Sequence, residues 1–598
     1  METLARVASN RPAFIQGDRR LTWDEFNKRC NQIANSLSEL GVKKEDCVAI
    51  MGFNSIEWME SYFAASKIGA VPVNLNPRFV KDEIIYVLED SDSVAVFVED
   101  EYAKAVKEIQ KDLPLLKHVI VYGIGKEPKE VPSGAIAYSE LIKGPDHNPE
   151  VEVFNDDFCF LMYTGGTTGW PKGVVWDGEQ RAHGLDMLLF NSFIPITDRL
   201  GDFPDVTLEH LVGMLGVPGI ITPIVLAGRE IFRYEGFKEV IVDTLEALFG
   251  TQVAYRIIGG KAKLLIASPL FHGAGYEANF SLMGALGITS VYPTSPHPFN
   301  PRECWETVER EKVNVMLIVG DAFAIPLLDE LKRAEKEGRQ FDTSSLWGMI
   351  SSGVRWSAYV KKGLQNYVPG LITLDEMGTT ESSAAFTELS TSMDKERKLA
   401  GAYLPHLRGG IYKHQYPCRV INPATGEDVE PGSEEVGEFI YGGWMALGYW
   451  KCPNKTAQDF RMIDGKRWFF VGDDGTVDSE GKFHLIGRGG AYMINTGGEK
   501  VYSEEVEGII KGYHKIRDVA VIGIPDEKWG EAVTVVIELF PGEEATHQEI
   551  IEYCKGKVSG YKKPRHVVFV DKVPRSASGK IAREEAKKMA FRSLGIKG

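Results

Sequence analysis

A glycine- and threonine-rich segment directly after a short apolar run is the feature that most constrains this chain. Tyr163 to Gly173 has the sequence Y-T-G-G-T-T-G-W-P-K-G, and Phe158 to Tyr163 predicts a buried strand before it. Glycine tolerates positive φ and has no Cβ, so backbone N–H groups and threonine hydroxyls in such a loop can approach an anion closely. Lys172 adds a positive charge that can reach a polyphosphate. The common nucleotide loop G-x-x-x-x-G-K-[ST] is excluded, because Pro171 replaces its second glycine.

The segment resembles the phosphate loop of the adenylate-forming superfamily. That superfamily includes acyl-CoA and aryl-CoA synthetases, peptide-synthetase adenylation domains and luciferases, which activate a carboxylate with ATP. Further stretches match its motifs in the same order from about Leu21 to Arg583, so the resemblance covers nearly the whole chain. It implies that these loop residues bind ATP: Thr164, Gly165, Gly166, Thr167, Thr168, Gly169 and Lys172. A simple surface turn is the alternative for any five of them.

A second motif, Asp375-Glu-Met-Gly-Thr-Thr-Glu381, follows a predicted strand from Leu371 to Asp375. It resembles the superfamily's second nucleotide motif, which implies that Thr380 contacts the α-phosphate and that Glu381 holds Mg²⁺. A carboxylate oxygen suits such a hard cation. An anionic carboxylate must approach an anionic phosphorus, and a metal ion lowers that repulsion. Both residues are therefore expected to be catalytic.

The adenine side of the ATP site departs from the superfamily at one position. Met377 stands where an aromatic ring usually covers the adenine, although a thioether also packs on a π-face. The resemblance places Gly378 and Thr379 beside it in the ATP site. Gly353 and Val354 occupy the place of the superfamily's Gly-Ala adenine contact.

The ribose contacts are expected near the end of the N-terminal part of the chain. Phe470-Val-Gly-Asp-Asp-Gly475 resembles the motif whose aspartate accepts hydrogen bonds from the ribose hydroxyls, which implies Asp473. Arg488 is the expected second ribose contact. A β-turn made by Asp474 and Gly475 is the alternative, because Asp-Gly favours turns by itself.

The C-terminal part carries two motifs of the superfamily. Pro574-Arg-Ser-Ala-Ser-Gly-Lys580 resembles the motif that delivers the catalytic lysine, and a mobile point charge can reach both the carboxylate and the α-phosphate. Asn495 to Val506 resembles the segment that contacts the pantetheine of CoA. It implies four CoA-binding residues: Thr496, Gly497, Gly498 and Glu499.

The acyl site is predicted from apolar stretches. Ser268 to Gly273 resembles the segment whose histidine lines the acyl pocket, which implies His272 and Gly273. An isolated histidine beside an apolar run is also common in a protein core. Asp321, within the apolar stretch Val319 to Phe323, is a third candidate for acyl binding, although a carboxylate is hard to place in an apolar pocket.

The organisation of the chain predicts an α/β protein with two domains. A chain of 598 residues exceeds what one hydrophobic core usually organises, and its strands alternate with helices, which favours mainly parallel sheets. We expect a large multi-sheet N-terminal body over residues 1–486, a hinge over 487–491 and a small mobile α+β domain over 492–598. The superfamily's hinge follows a Gly-Arg pair, here Gly487-Arg488, and Gly490 replaces its usual Asp or Lys.

The charge is unevenly distributed along the chain. The net charge is −16, yet residues 487–598 carry 19 Lys and Arg against 16 Asp and Glu. A basic lid over a polyphosphate explains this asymmetry better than nucleic-acid binding, because no recognition motif accompanies the charge. A solvated helix face is the plain alternative.

The compartment is expected to be the cytoplasm. Met1 to Phe14 lacks the apolar core of a secretory signal, and the seven cysteines form no C-x-x-C pair. Leu211 to Gly228 holds eighteen uncharged residues but includes Pro218 and Pro223, which fit a regular spanning helix poorly. A channel wall or a surface in peripheral contact with lipid is expected there instead.

Together these motifs predict an AMP-forming acyl-CoA synthetase that uses ATP, CoA and Mg²⁺. The apolar stretches favour a medium-chain, alicyclic or aromatic carboxylate over acetate. An acyl-AMP ligase serving a carrier protein, a non-catalytic acyl or AMP sensor and a luciferase-type oxidase are the alternatives. The physiological direction stays open, because the same site can form ATP from acyl-CoA, AMP and pyrophosphate. The oligomeric state is open between monomer and homodimer.

Overall fold

The structure is a computed structural model, and it describes most of the 598 residues. The described residues are 1–164, 170–182, 196–197, 199–214, 226, 231, 234, 240–241, 244, 247, 251–352, 356–391, 418–433, 435–479, 481, 483–488, 493–496, 499–526, 530–555, 557–558, 560–576 and 580–596.

The first sheet has eight strands. Their spatial order is Ser382–Ser390, Ile372–Thr379, Gly348–Ser352, Val315–Ile318, Lys263–Ile266, Thr289–Tyr292, Pro12–Gln16 and Arg19–Thr22. The five inner pairs are parallel, and the outermost pair at each end is antiparallel. The antiparallel pair at one end carries the second nucleotide motif in its turn.

The second sheet also has eight strands. Their spatial order is Gly448–Tyr449, Lys172–Asp177, Phe158–Thr164, Val71–Leu75, Cys47–Met51, Ala95–Glu99, His118–Tyr122 and Ile136–Ala137. Every residue of its three central strands is buried, as expected for parallel strands covered on both faces. The predicted strand before the phosphate loop is confirmed as Phe158–Thr164.

The helices of the body cover these two sheets. They are Glu2–Val7, Trp23–Glu39, Ile56–Lys67, Lys81–Asp90, Asp100–Ile109, Tyr138–Leu141, Asp205–Met214, Gln252–Ile257, Gly273–Leu286, Pro301–Glu311, Gly320–Lys336, Ala358–Tyr367 and Pro453–Asp459.

One core cluster joins the two large sheets. The helices Ile56–Lys67 and Gly273–Leu286 pack together through Tyr62, Tyr276 and Phe280, with ring centroids 4.3 to 5.3 Å apart. Aromatic pairs at these distances add to the free energy gained by burying apolar area. The first residues of the helix Gly273–Leu286 are therefore held between the two sheets.

The remaining two sheets are smaller. The third is antiparallel and contains Cys418–Ile421, Gly437–Tyr441, Lys466–Val477, Phe460–Ile463 and Phe483–Arg488. The fourth contains Glu499–Tyr502, Met493–Thr496, Gly530–Leu539, Ile516–Asp526 and His566–Phe569, and is flanked by the helices Ser503–Ile510, His547–Cys554 and Arg583–Leu594.

The predicted fold class is confirmed as a large α/β body of several sheets with a smaller C-terminal α+β part. The predicted hinge, 487–491, begins within the last two residues of the strand Phe483–Arg488 and ends before the strand Met493–Thr496. Residues 489–491 lie outside the described residues, so the hinge and the mobility of the C-terminal part stay predictions.

Within the described ranges, we find no helix that is both long enough and apolar enough to cross a bilayer. The uncharged stretch Leu211 to Gly228 lies largely outside these ranges, and only its first four residues belong to a described helix, Asp205–Met214. The prediction of a channel wall or lipid contact there is not tested by the structure.

Candidate active site

The phosphate loop connects two antiparallel strands of the second sheet. Thr164 at the end of one strand is the direct partner of Lys172 at the start of the next, so the loop is closed at its base. The loop residues Gly165, Gly166, Thr167, Thr168 and Gly169 lie outside the described residues. Their contacts to phosphate stay a prediction, whereas the two ends of the loop are where the motif requires them.

Two buried asparagines fix the loop's base and the acyl segment against each other. Asn74 accepts a hydrogen bond from the Tyr163 backbone N–H and donates one to the Phe271 carbonyl, both at 2.6 Å. Asn54 donates to the Ser268 carbonyl at 2.8 Å and accepts from the Leu270 N–H at 2.8 Å. No local sequence pattern marks either asparagine, because the residues they join are up to 216 positions away.

The second nucleotide motif forms the turn between Ile372–Thr379 and Ser382–Ser390. The Trp176 indole N–H donates to the Thr380 carbonyl at 3.1 Å, and the Ala446 N–H donates to the Glu381 carbonyl at 2.9 Å. The Tyr449 hydroxyl contacts a Glu381 carboxylate oxygen at 3.1 Å. The turn is thus attached to the second sheet through its backbone, which fixes the two predicted catalytic side chains.

His272 and Gly273 begin a helix that points at this turn. His272 is the N-cap of Gly273–Leu286, and its Nδ1 accepts from the Ala274 N–H at 3.3 Å. A Cβ added at Gly273 would lie 3.3 Å from the Thr380 hydroxyl oxygen, so the backbone here is in close contact with the turn that carries the second nucleotide motif. The structure therefore brings the predicted acyl-binding and phosphate-binding residues together.

The charge of Lys580 reaches His272 from the C-terminal part. Burial, and then the positive charge of Lys580, lower the pKa of His272 to about 4. The imidazole is therefore neutral at neutral pH, which suits a wall residue and excludes a role as a cationic phosphate ligand. Lys580 itself is exposed to solvent at the edge of the fourth sheet's domain.

The two predicted ribose contacts face each other across a pair of strands. Asp473 is buried and lies directly opposite Arg488 in the register of Lys466–Val477 and Phe483–Arg488. Asp474 next to it accepts a hydrogen bond from the Tyr502 hydroxyl at 2.9 Å. The nucleotide motif therefore also forms one of the contacts between the body and the C-terminal part.

The other predicted ATP and CoA residues are only partly described. Gly378 and Thr379 lie in the catalytic hairpin beside Met377, whose side chain is outside the described part. Thr496 is buried and is paired with Glu499 across a tight hairpin. The remaining predicted residues Gly353, Val354, Gly497 and Gly498 lie outside the described residues.

Asp321 forms a buried contact with the C-terminal part in this structure. Its carboxylate is 1% exposed, accepts from the Ser357 N–H at 2.9 Å and forms an ion pair with the Lys511 amine at 2.7 Å. Lys511 belongs to the C-terminal part. Acyl binding by Asp321 stays a prediction, and in this arrangement its two carboxylate oxygens contact Ser357 and Lys511.

Comparison with known proteins gives consistent matches over nearly the whole chain. The family model described as AMP-binding enzyme matches residues 1–193 and 240–450, and the model of the AMP-binding enzyme C-terminal domain matches residues 505–580. A 3-oxocholest-4-en-26-oate–CoA ligase of Rhodococcus rhodochrous is 32% identical, over 96% of this chain and 92% of the relative. A feruloyl-CoA synthase of an Amycolatopsis species is 29% identical, over 98% of this chain and 97% of the relative.

Solved structures agree on the fold. An anthranilate CoA ligase in complex with anthranoyl-AMP superposes with a TM-score of 0.74 at 23% identity, covering 99% of this chain and 97% of that chain. ATP-bound MatB from Rhodopseudomonas palustris superposes with a TM-score of 0.71 at 20% identity. The match covers 100% of this chain and 99% of the MatB chain.

Proposed function

This chain belongs to the AMP-binding enzyme family and is an acyl-CoA synthetase, and we propose that it joins a medium-chain, alicyclic or aromatic carboxylate to CoA through an acyl-AMP intermediate. One observation carries the proposal. The Thr380–Glu381 turn and the His272–Gly273 helix start lie in close contact although they are about 100 positions apart, and the charge of Lys580 contributes to the lowered pKa of His272.

In the first half-reaction, a carboxylate oxygen of the substrate attacks the α-phosphorus of ATP. The new bond gives acyl-AMP, and the bond to pyrophosphate breaks. We propose that Thr380 donates to the α-phosphate and that the Lys580 amine balances the negative charge that both reacting groups bring. Such preorganised charges are worth most in a site from which water is excluded.

The residues present fit a magnesium ion. The Glu381 carboxylate lies on the catalytic turn, and Mg²⁺ is commonly bound by one or two carboxylates together with substrate phosphates. Within the described part of the chain, no group of three or more His, Cys, Asp or Glu side chains forms a complete metal site. A magnesium ion held by Glu381 would shield the phosphate charge from the incoming carboxylate.

In the second half-reaction, the CoA thiol attacks the acyl carbon of acyl-AMP and AMP leaves. We propose that the hairpin of Met493–Thr496 and Glu499–Tyr502 contacts the pantetheine after the C-terminal part has rotated about residues 487–491. No enzyme nucleophile is needed, because the adenylate itself is the activated acyl group. The reaction can also run in reverse and form ATP.

The residues next to His272 are apolar, which favours a substrate larger and more apolar than acetate. Phe271, Ala274 and Tyr276 are buried beside His272, which provides apolar surface in place of polar groups suited to acetate. The curated relatives act on a steroid-derived carboxylate, on medium- or long-chain fatty acids and on ferulate, going by their names. All of these are larger and more apolar than acetate.

The test is release of AMP and acyl-CoA from Mg²⁺ and ATP with a panel of acids. The panel runs from acetate to hexadecanoate and adds benzoate and cyclohexanecarboxylate, each with and without CoA. We expect CoA-dependent thioester from several apolar acids. Acetate as the best substrate by kcat/KM would overturn the substrate class. Acyl-AMP that accumulates despite CoA would instead favour a carrier-protein acceptor.

A further inference from the structure

A buried ion pair lies directly behind the catalytic turn. Arg181 follows the strand Lys172–Asp177 and contacts Glu277 of the helix Gly273–Leu286, with 3.4 Å between its Nη1 and the carboxylate Oε1. The Arg181 side chain is 7% exposed and that of Glu277 is 18% exposed. No motif in the sequence singles out either residue.

Both members of the Arg181–Glu277 pair lie close to residues that contact Thr380. A Cβ added at Gly273 would lie 3.8 Å from the Glu277 carboxyl carbon and 3.3 Å from the Thr380 hydroxyl. The Arg181 guanidinium lies 5.2 Å from the Trp176 ring, and the indole N–H of that ring holds the Thr380 carbonyl. The pair therefore lies next to Gly273 and the Thr380 turn, where the proposed function puts the reacting carboxylate.

The hydrogen-bonding capacity of Arg181 is not used up. Its Nε and Nη2 atoms are fully buried and have no hydrogen-bond partner. A guanidinium carries five N–H donors, and buried donors in proteins nearly always have acceptors. The rings of Tyr276 and Phe160 lie 4.9 and 5.9 Å from the guanidinium carbon, and the Tyr276 hydroxyl interacts with Arg181, but Nε and Nη2 still have no hydrogen-bond acceptor.

Arg181 stays charged in this environment. Burial alone would lower its pKa, but the Tyr276 oxygen and the Glu277 carboxylate outweigh that effect and raise it. If the only role of the guanidinium were to neutralise Glu277, we would expect a short, bidentate salt bridge between the two side chains. The observed contact uses one nitrogen at 3.4 Å and leaves two others without acceptors.

Building on the proposed function, we propose that Arg181 is a specificity residue that donates from Nε and Nη2 to an oxygen of the substrate's acyl group. Once ionised, above its pKa of about 7, Glu277 balances the charge of Arg181, so the fitting acceptor is a neutral oxygen, such as an oxo group, rather than a second carboxylate. The substrate class is then a largely apolar carboxylic acid that carries a carbonyl oxygen in the segment passing Gly273.

The consequence is discrimination between matched acids. A site built to donate hydrogen bonds rejects an analogue without the acceptor, because its buried donors are then left unpaired. We expect the wild type to prefer an oxo acid over its plain counterpart by at least about tenfold in kcat/KM. The preference should disappear when the donors are removed.

The test uses the full chain and two pairs of acids: 4-oxocyclohexanecarboxylate with cyclohexanecarboxylate, and 5-oxooctanoate with octanoate. The kcat/KM for pyrophosphate release is measured for each acid with the wild type and with Arg181→Met. We expect the ratio within each pair to fall to about one in the variant, whatever its absolute rates. Arg29→Met is the matched control, because Arg29 also pairs with a buried carboxylate, Glu60, and should keep the wild-type ratio.

Two outcomes overturn the inference. One is a wild type that turns over both members of each pair equally, and the other is an Arg181→Met variant that keeps the preference. If Arg181→Met fails to fold, Arg181→Lys retains the charge with fewer donors, and an unchanged ratio there is equally contradictory. Absence of thioester from every acid would instead refute the proposed function, so the two failures are distinguishable.

Discussion

At the scale of single residues, the proposed mechanism depends on the positive charge of Lys580. This charge is expected to act mainly on the transition state of acyl-AMP formation. Lys580 is exposed, yet its charge is felt at the largely buried His272. A lysine amine is a compact charge on a flexible stem, so it can follow the carboxylate and the phosphate as they approach each other. The His272 imidazole is neutral at neutral pH, so Lys580 is the positively charged group of this pair.

We predict that Lys580→Ala slows acyl-AMP formation by roughly 10²–10³-fold, the usual loss for one electrostatic contact to a transition state. Thioester formation from supplied acyl-AMP should be spared, because that step does not transfer charge to the α-phosphate. Both half-reactions are measured separately, with Lys572→Ala as the control, since Lys572 is an exposed lysine earlier in the same segment. Equal loss of both half-reactions would show that the lysine is misassigned.

Glu277 makes stability depend on pH in a defined window. Burial raises its pKa from 4.5 to about 7, with Arg181 opposing and Glu381 adding to the shift. Between these two values the folded protein keeps a proton that the unfolded chain has released, so the contribution to stability falls as pH rises. Below the window both states are protonated, and above it both are ionised.

The expected result is a Tm of the wild type that falls relative to Glu277→Gln between pH 5 and pH 7.5, measured by thermal unfolding in matched buffers. Glu549→Gln is the control. The pKa of Glu549 is lowered to about 2, mainly by the Thr546 backbone N–H, so its effect should lie below that window. A difference in Tm between the wild type and Glu277→Gln that stays constant from pH 5 to pH 7.5 would contradict the raised pKa of Glu277.

At the scale of elements, buried asparagines set the spacing between the phosphate loop and the acyl helix. Asn74 → Ala would leave the Tyr163 N–H and the Phe271 carbonyl without partners. Each unsatisfied buried group costs about 1–3 kcal/mol, so we expect about 2–4 kcal/mol of lost stability in the N-terminal body. Adenylation should slow as well, because both segments border the site.

Urea unfolding followed by tryptophan fluorescence measures this loss. Asn148→Ala is the control, since Asn148 is an exposed asparagine whose side chain accepts only from Lys67 among the described contacts. A change below about 0.5 kcal/mol for the Asn74 variant, as expected for surface substitutions, would show that the bridge is not important for stability.

The elements also show what a sequence can and cannot predict. The strand before the phosphate loop and the Gly-Thr-Thr-Glu turn follow from local patterns, because periodicity and glycine content act over a few residues. The positions of Asn54, Asn74 and Trp176 do not, since each acts on a backbone group of a distant segment. The ion pair of Asp321 could not be predicted for the same reason: its partner Lys511 is 190 positions away.

At the scale of the whole molecule, a buried ion pair connects the body to the C-terminal part. The Lys511 amine lies 2.7 Å from Asp321 and 3.2 Å from Asp518, and Arg517 lies 3.5 Å from Asp329 nearby. Burial would lower the pKa of Lys511, but Asp321 and Asp518 outweigh it and raise it. These contacts hold the arrangement in which the charge of Lys580 reaches His272.

We predict that Lys511→Met and Asp321→Asn each slow adenylation more than thioester formation. Removing one partner of a buried ion pair costs about 3–5 kcal/mol of stability. This cost applies only to the domain arrangement in which Lys511 contacts Asp321. Single-turnover rates of each half-reaction measure the effect, with Lys515→Met as control, because Lys515 pairs with Glu549 inside the C-terminal part. Equal slowing of both half-reactions would contradict this account of the contact.

The fate of the carboxylate oxygen shows directly whether the acid attacks the α-phosphorus of ATP. An accepted acid labelled with ¹⁸O in its carboxylate is converted with ATP and CoA, and the products are analysed by mass spectrometry. If the acid attacks the α-phosphorus, one ¹⁸O appears in AMP and none in pyrophosphate. Label in inorganic phosphate, or none in AMP, would show that the acyl group is activated in another way.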